Sequence, residues 1–311
     1  MAGVRGFIQE LPKAELHLHL EGSIEPATLL ELDASLTAEE VKAHYQYANF
    51  LGFLRSYEWV TRRLRTPADY AHVTRRLLDR LATENVRYAE INLSTGVILW
   101  KGQDFAPIYE AVNAEARASS VEVRWIFDAV RQFAVEDGMR VAELAAERTG
   151  DGVAGFGIGG DEARGPAGKF AEVFAFARRK GLRLAPHAGE TTGPETIRAS
   201  LELGAERIGH GIRAVEDEAL MRYLRDHDIP LEVCISSNVA TGVVETLAEH
   251  PLRRIYEAGV PVVLNTDDPA MFHTTLVREY EIAAAQFGFT EAELRRLAEN
   301  SFRYAFSACG S

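Results

Sequence analysis

The chain has 311 residues, of which 47% are hydrophobic and 26% are charged, which is the composition of a globular protein and not of a disordered one. Its net charge of -12 argues against a surface for nucleic acid or anionic membrane, because both need clustered Lys and Arg side chains. This length accommodates one (β/α)8 barrel, which takes about 250 residues or more, as readily as two smaller domains.

The sequence lacks the usual signals of export and of membrane insertion. No segment reaches the roughly 18 apolar residues of a membrane span, and the opening MAGVRGFIQELPK lacks the apolar centre of a signal peptide. Cys234 and Cys309 are too few and too far apart in sequence for a disulfide scaffold. We therefore expect a reduced, cytoplasmic protein that does not bind a membrane.

Short apolar runs that are typical of buried strands recur along the chain, and amphipathic segments follow most of them. In chain order the candidate strands are AELHLHL, VRYAEINL, VEVRWIFDAV, VAGFGIGG, LRLAPHAGE, ERIGHG, IPLEVCISSN and VPVVLNTDD. The amphipathic segments include ADYAHVTRRLLDRLATEN, KFAEVFAFARRKG, DEALMRYLRDHD and PLRRIYEAGV. Eight strand and helix units predict an α/β protein with a (β/α)8 TIM barrel, as a single domain over residues 1–311.

One region departs from this alternation. From about residue 24 to residue 70 the pattern is mostly helical, which predicts an insertion after the first strand. Insertions at this position of a barrel lie over the carboxyl ends of the strands, so YQYANFLGFLRSYEWVTRRL is a candidate lid over a pocket. The alternative is that its aromatic side chains only form helix core.

The stretch AELHLHLEG places two histidines one residue apart in the first candidate strand. Side chains alternate across a strand, so His17 and His19 project from the same face. One histidine can be a hydrogen-bonded core residue, whereas two on one face indicate a shared role.

Other polar groups recur where the candidate strands end. Each has an ordinary explanation by itself, such as a core histidine or a turn. Strand ends converge on one mouth of a barrel, however, so residues that are distant in sequence are expected to become neighbours there. In chain order the groups are His17 with His19, Gly159 to Glu162, His187 with Glu190, His210, Ser236 to Asn238, and Asp267 with Asp268.

These side chains favour a metal centre. Three or four imidazoles with a carboxylate suit Zn²⁺ with an open position for water, and such an ion lowers the pKa of that water toward neutrality. One ion is expected, because the fourth candidate strand ends in GFGIGGDE without the lysine that often bridges two metals, and Lys169 lies in the following helix. The P-C-x-x-C motif of cytidine-deaminase zinc sites does not occur.

The motifs HLHLEGSIEP, HAGE, GHGI, SSN and NTDDP occur in this order at the ends of candidate strands. In these motifs, their order and their places at strand ends, the chain resembles the adenosine deaminase family of the amidohydrolase superfamily from about Leu11 to the C-terminal helix. The resemblance implies a metal-dependent aminohydrolase with one Zn²⁺ per chain. The implied ligands, together with a water, are His17, His19, His187 and Asp267.

The resemblance also implies hydrolytic deamination of a 6-aminopurine nucleoside, with this small molecule and water as the partners. Glu190 would protonate N1 and so make C6 electrophilic. His210 and Asp268 would orient and deprotonate the water that attacks C6, and Asp268 would also face N7. Gly160, which has no side chain, would let its N–H approach N3, although a tight turn is its ordinary explanation. Loss of ammonia leaves the 6-oxopurine.

Glu21 bears on the substrate. Adenosine deaminases commonly carry an aspartate at this position, where it meets the ribose 5′-hydroxyl, and the longer glutamate takes up space near that end of the sugar. Adenine deaminases also carry glutamate here, but NTDDPAMFHTTLVREY is more similar to the nucleoside-specific members. The implied substrate is adenosine or a 5′-modified adenosine, with free adenine ranked lower.

A third candidate substrate is 6-amino-6-deoxyfutalosine, an intermediate of menaquinone biosynthesis whose 5′ position carries a carboxyphenyl-propanone extension. The short segment between Pro26 and Phe50 resembles the compact bacterial enzymes associated with that reaction. A substrate without a free 5′-hydroxyl does not need the aspartate.

The remaining polar residues are expected to lie outside the reaction. Ser236, Ser237 and Asn238 are interpreted as structural or as supporting the site, and His273 has only a weak case for touching substrate. A homo-oligomer is compatible with this sequence. The histidines predicted to lie on the surface are His44, His72, His227 and His250.

Overall fold

The computed structural model describes residues 2–306, and its strands form a parallel barrel that contains all eight predicted strands. The fifth is divided into two pieces around Pro186, whose nitrogen has no hydrogen to donate to a strand ladder. The strands are β1 (Lys13–His19), β2 (Val86–Leu93), β3 (Glu122–Val130), β4 (Val153–Gly159), β5 (Arg183–Leu184), β6 (His187–Ala188), β7 (Ile208–His210), β8 (Leu231–Val233) and β9 (Val262–Leu264).

The ring closes at the predicted metal ligands. β1 to β5 pair in chain order, as do β6 to β9, and Leu18 forms a parallel bridge with Asp267 just after β9. There the N–H of His19 donates to the carbonyl oxygen of Asp267 at 2.8 Å, and the N–H of Asp267 donates to that of His17 at 3.0 Å. The predicted barrel is confirmed, and its closure fixes the backbone of three proposed ligands.

Helices connect the strands and pack around the barrel. α5, for example, begins after Thr66, whose side chain accepts the N–H of Asp69 in a capping box. The helices are α1 (Ala2–Glu10), α2 (Pro26–Leu32), α3 (Ala38–His44), α4 (Phe50–Thr61), α5 (Pro67–Thr83), α6 (Thr95–Trp100), α7 (Phe105–Ala118), α8 (Val135–Ala146), α9 (Ala171–Arg179), α10 (Pro194–Glu202), α11 (Glu218–Asp226), α12 (Ile235–Ala240), α13 (Leu252–Glu257), α14 (Leu276–Phe287) and α15 (Glu291–Arg303).

The helical insertion predicted after the first strand consists of α2, α3 and α4, whereas α5 packs on β2 and α7 as a barrel helix. Phe53 on α4 packs against Phe272 after β9, with 5.0 Å between the ring centroids. The hydroxyl of Tyr47 donates to the carbonyl oxygen of Met271 at 2.7 Å. The insertion is therefore tied to the barrel mouth, and its aromatic residues both form core and line the cavity described below.

Apolar side chains fill the space between the strands and the surrounding helices, with Trp125, Tyr109 and Phe127 among the largest that are fully buried. Inside the barrel, by contrast, the buried Arg207 pairs with Glu90 on β2 and Glu232 on β8. Among the described residues, no helix is both long enough and apolar enough to cross a membrane.

Candidate active site

A cavity of about 460 Å³ opens at the carboxyl ends of the strands, a volume typical of small-molecule sites. It brings together most of the residues predicted from the sequence. Those that line it are His19, Gly160, His187, Glu190, His210, Asp267 and Asp268. His17 and Glu21 are buried but do not line the cavity.

The proposed ligands converge with the spacing of a coordination shell. The Nε2 atoms of His19 and His187 lie 3.1 Å apart, and Oδ1 of Asp267 lies 3.3 Å from His19 Nε2 and 3.4 Å from His17 Nε2. Zinc bonds of about 2.0–2.1 Å in a tetrahedron place ligand atoms about 3.3 Å apart. His17 Nε2 is also buried without a hydrogen-bond partner. The donor set therefore fits a zinc ion.

His17 is held in its orientation from the side away from the cavity. Its Nδ1 lies 2.8 Å from Oε2 of Glu232, and Oε1 of Glu232 accepts from Nε of Arg207 at 2.5 Å. Burial by itself raises the pKa of Glu232. The neighbouring Arg207 and His17 act in the opposite direction and bring this pKa below its usual value. A carboxylate on Nδ1 leaves the Nε2 lone pair for a metal, as in many metal sites. Sequence reasoning missed Glu232, although a glutamate inside the short apolar strand LEV is a usable signal.

Asp267 presents different faces to its neighbours. Its Oδ1 points to His17 and His19, while its Oδ2 accepts from the hydroxyl of Ser237 at 2.7 Å. The backbone φ is +65° at Asp267 and +60° at His210, in the left-handed region that costs energy for residues other than glycine. The fold thus maintains strained backbone at two of the predicted site residues.

Glu190 is a buried carboxyl group beside His210, with 3.8 Å between Glu190 Oε2 and His210 Nε2. Burial and the charge of Asp267 raise the pKa of Glu190 well above its usual value. Burial lowers the pKa of His210 to about 3. This environment therefore favours the protonated form of the Glu190 carboxyl group next to a neutral imidazole, which is a suitable arrangement for donating a proton.

Asp268 lies directly against Gly22, whose position after the first strand leaves room for it. Burial and the neighbouring Asp267 raise the pKa of Asp268 well above its usual value, which makes its carboxylate a stronger proton acceptor, and its Oδ1 has no hydrogen-bond partner. A Cβ on Gly22 would lie 1.7 Å from Oδ1 of Asp268 and 2.4 Å from its Cβ. Only glycine fits beside this carboxylate.

Gly22→Ala is expected to lower kcat about a hundredfold, because a displacement of about 1 Å at a reacting group can cost that much. The added methyl group forces Asp268 to move, while Asp267 and the zinc content should be retained. Steady-state kinetics and metal analysis measure both effects. Gly6→Ala is the matched control, since a Cβ on Gly6 meets nothing within 4 Å. Unchanged kcat in Gly22→Ala would contradict a role for the position of Asp268.

Gly160 and Glu21 were both predicted to bind substrate. Gly160 lines the cavity with φ at +97°, and a Cβ there would lie 2.2 Å from Oε1 of Gln132, so the turn requires glycine. Glu21 lies behind the cavity wall and accepts hydrogen bonds from the Ser94 N–H and the Tyr57 hydroxyl, both at 3.2 Å. Burial raises the pKa of Glu21. Its contacts connect α4 to the end of β2.

The surface prediction is wrong for His250, whose exposed fraction is 4%. His250 Nε2 lies 3.1 Å from Oδ1 of Asn238, and its ring packs edge-on against Phe287, 5.9 Å between centroids. Residues in short loops carry no periodic signal of burial, which is why the sequence misled here. His44 and His72 are half-buried and His227 is exposed; His273 is exposed and does not line the cavity.

Asp128 is a second residue that sequence reasoning missed. It lies on β3, lines the cavity, and has an Oδ1 that is buried without a partner. Burial raises its pKa to about 8. The signal was available in IFDAV, where a carboxylate interrupts an apolar strand. Cys234 is buried, and Cys309 lies outside the described residues.

The buried His250 predicts a dependence of stability on pH. Burial lowers its pKa to about 4, against 6.5 when it is exposed. The folded state binds this proton less well than the unfolded state does. Titration of His250 therefore leaves the free energy of unfolding unchanged above about pH 6.5 and lowers it as the pH drops toward 4. The loss at pH 4 is about 3 kcal/mol.

Urea unfolding of the metal-free protein, followed from pH 7 to 4, measures this loss. His250→Gln should lose about 3 kcal/mol less than the wild type over that range. His227→Gln, which changes an exposed histidine, should follow the wild type. Parallel curves for the wild type and His250→Gln would contradict the prediction.

Comparison with known proteins adds the family to this geometry. A sequence profile described as adenosine deaminase matches residues 12–309. The chain belongs to the adenosine deaminase family. It is accordingly a metal-dependent aminohydrolase, and the fold and the donor set agree with this assignment.

Two relatives and one solved structure show what this chain is similar to. An aminodeoxyfutalosine deaminase from Streptomyces avermitilis is 38% identical over 97% of this chain and 88% of its own length. An adenine deaminase from Rhizobium leguminosarum bv. trifolii is 39% identical over 95% of each chain. The crystal structure of an amidohydrolase from Burkholderia ambifaria with bound Zn has a TM-score of 0.92 at 27% identity, covering 99% of this chain and 89% of that one.

Proposed function

We propose that this family member is a zinc-dependent deaminase that hydrolyses the 6-amino group of a 5′-modified adenosine to give the 6-oxopurine nucleoside and ammonia. The observation that carries the proposal is the convergence of the predicted histidines and carboxylates on one cavity at the barrel mouth. One zinc ion per chain, a small-molecule substrate, water and a cytoplasmic location complete the proposal.

His17, His19, His187 and Asp267 would hold the zinc ion, since their donor atoms have the spacing of ligands. A bound zinc ion lowers the pKa of a coordinated water toward neutrality. His210 does not belong to this ligand set in the proposal, although it lies among the same buried groups.

Glu190, His210 and Asp268 would handle the protons. Glu190 donates its proton to N1 while the water oxygen bonds to C6, His210 orients that water, and Asp268 deprotonates it. The proton taken from the water then passes to the amino group, the C6–N bond breaks and ammonia leaves. The new C6 hydroxyl returns a proton to Glu190 as the carbonyl forms. Both carboxyl groups end in their starting states, so the cycle balances.

The hydrogen bonds of Glu21 support a 5′-modified substrate. Its carboxylate already accepts from Tyr57 and from Ser94, and the hydroxyl groups of Tyr57 and Ser94 lie 2.7 Å apart. Because Tyr57 and Ser94 of the cavity lining already satisfy the carboxylate of Glu21, this residue has no need of a ribose 5′-hydroxyl. A direct contact between Glu21 and substrate would require this arrangement to open.

The outer part of the cavity suggests what the 5′ group is. Trp100 is 48% exposed, and its ring stacks on that of Phe133 with 5.9 Å between the centroids. Arg55 and Arg164 also line the cavity, and neither makes an ion pair within residues 2–306. Aromatic faces and unpaired guanidinium groups favour a flat, anionic extension. The carboxyphenyl extension of 6-amino-6-deoxyfutalosine has this chemistry, and on this proposal the enzyme serves menaquinone biosynthesis.

Free adenine is the second candidate substrate. The relative named adenine deaminase is as similar to this chain as the one named aminodeoxyfutalosine deaminase. Glu21 is compatible with a base as well, because no sugar then has to be placed near it. Adenine, however, leaves the aromatic and basic outer part of the cavity without a role.

Ammonia release from four substrates tests the proposal: adenosine, adenine, 5′-deoxy-5′-methylthioadenosine and 6-amino-6-deoxyfutalosine. We expect the highest kcat/KM for 6-amino-6-deoxyfutalosine. If adenine has the highest value, the second candidate replaces the first. If none is turned over while an ester or amide is hydrolysed, the deaminase proposal fails.

Arg164→Gln and Arg55→Gln test the outer cavity. Each should lower the ratio of kcat/KM for 6-amino-6-deoxyfutalosine over that for 5′-deoxy-5′-methylthioadenosine, by about tenfold for a charge-assisted hydrogen bond. Arg179→Gln, an exposed position on α9, is the matched control. An unchanged ratio in both variants would argue against an anionic 5′ group.

A further inference from the structure

A chain of hydrogen bonds runs from a backbone amide through His250 and Asn238 to His210. The N–H of Leu252 donates to Nδ1 of His250 at 3.2 Å. On the other side of the ring, Nε2 of His250 lies 3.1 Å from Oδ1 of Asn238. Nδ2 of Asn238 then lies 3.2 Å from Nδ1 of His210. All three side chains are buried, so water does not compete for these bonds.

The backbone amide at the start fixes every proton along this chain. An amide N–H can only donate, so Nδ1 of His250 has to be the unprotonated acceptor. The proton of His250 is then on Nε2 and is donated to Oδ1 of Asn238, which only accepts. The remaining amide group of Asn238 only donates, so Nδ1 of His210 has to accept from it.

We propose that His250 and Asn238 are positioning residues that hold His210 as the Nε2–H tautomer, so that it donates a hydrogen bond into the site and accepts no proton there. With Nδ1 occupied as an acceptor, the single proton of a neutral His210 is on Nε2. That atom lies 3.8 Å from Oε2 of Glu190 and 3.9 Å from Oδ2 of Asp267, both at the centre of the site.

Two consequences follow for the site. An Nε2 that carries a proton has no lone pair for a metal, so His210 is excluded from the ligand set although it lies beside His17, His187 and Asp267. His19 therefore provides the third imidazole. His210 also cannot deprotonate the attacking water, and this step is assigned to Asp268. This division of roles rests on the proposed function, whereas the tautomer of His210 does not.

The surrounding structure keeps the chain of bonds in place. Asn238 lies on α12, where its backbone N–H donates to the carbonyl oxygen of Cys234 at 3.1 Å and its carbonyl oxygen accepts from Val244 at 2.9 Å. His250 is held between Asn238 and the ring of Phe287. Neither residue lines the cavity, so both act on the reaction only through His210.

Nuclear magnetic resonance of the protein labelled with 15N-histidine tests the tautomer directly, because it distinguishes protonated from unprotonated ring nitrogens. The spectrum of His210→Gln assigns the signals of His210. In the metal-free and the zinc-loaded wild type, we expect Nε2 of His210 to be protonated and Nδ1 to be unprotonated. A proton on Nδ1 with a free Nε2 would overturn the proposal, whatever substrate the enzyme uses.

Variants test the two positioning residues. Asn238→Asp offers only acceptors and should move the proton of His210 to Nδ1, with kcat lowered at least a hundredfold. His250→Leu removes the hydrogen bond to Asn238 and should lower kcat about tenfold with little change in KM. His250→Gln can still accept from Leu252 and donate to Asn238, so it should keep kcat within about threefold of the wild type.

His227→Leu is the control for removal of a histidine, because His227 is exposed. Equal losses of kcat in His250→Leu and His250→Gln would indicate a structural role only and would overturn the assignment. If the tautomer is as expected but no aminopurine is deaminated, the proposed function fails while the positioning of His210 stands.

Discussion

Glu190→Gln should lower kcat about a thousandfold, which is within the usual range for loss of a general acid. The amide has the shape of the carboxyl group but cannot give an acidic proton to N1. The wild-type residue is buried beside Asp267, and this environment raises the pKa of Glu190 well above its usual value. The environment therefore favours the protonated form of Glu190, which carries the proton needed at N1. Ammonia release under saturating substrate measures the effect.

Zinc content has to be measured in the same preparations, since Glu190 is close to the ligand His187 but is not expected to bind the ion. We expect Glu190→Gln to retain as much zinc as the wild type. Glu202→Gln on α10 is the matched control, because Glu202 is exposed and distant from the cavity lining. Turnover near the wild-type rate in Glu190→Gln would remove this residue from proton transfer.

Removal of the metal should have an effect of similar size. After dialysis against a chelator, we expect turnover to fall at least a hundredfold and to return when Zn²⁺ is added, because a water without the ion is a poor nucleophile at neutral pH. The barrel itself should stay folded, since its strands and helices enclose a large apolar core that does not include the ligands. Zinc should also raise the melting temperature of the metal-free protein, as any ligand of the native state does.

His19→Ala distinguishes a bound zinc ion from an incidental one. It should weaken zinc binding and lower turnover together, because His19 Nε2 lies within 3.3 Å of both His187 Nε2 and Asp267 Oδ1. His72→Ala, at a half-buried histidine paired with Glu31, is the control. A catalytic metal site needs about one ion per chain. Full activity in a preparation with fewer than about one zinc atom per hundred chains would therefore contradict a metal-dependent reaction.

Local sequence pattern was sufficient for the elements of this fold. Apolar runs and amphipathic segments indicated the eight strand positions, because a barrel strand buried on both faces is a short apolar run and a helix buried on one face has a periodic pattern. The same logic placed His17 and His19 on one face, and the convergence of barrel strands brought Glu190, His210 and Asp268 into one cavity. The predicted strand IPLEVCISSN, however, is strand only over Leu231–Val233, and α12 begins at Ile235.

Contacts between distant parts of the chain were decided by the tertiary structure alone. Arg207 and Glu232 hold His17 through its Nδ1, and His250, in a loop, contacts His210 through Asn238 on α12. Such pairs leave no periodic signal, because each partner satisfies a hydrogen bond that exists only after the barrel has closed. The sequence by itself therefore determined the barrel and the residues that meet at its mouth. The tertiary structure decided which nitrogen of each histidine faces the reaction, because that depends on the partners packed behind the ring.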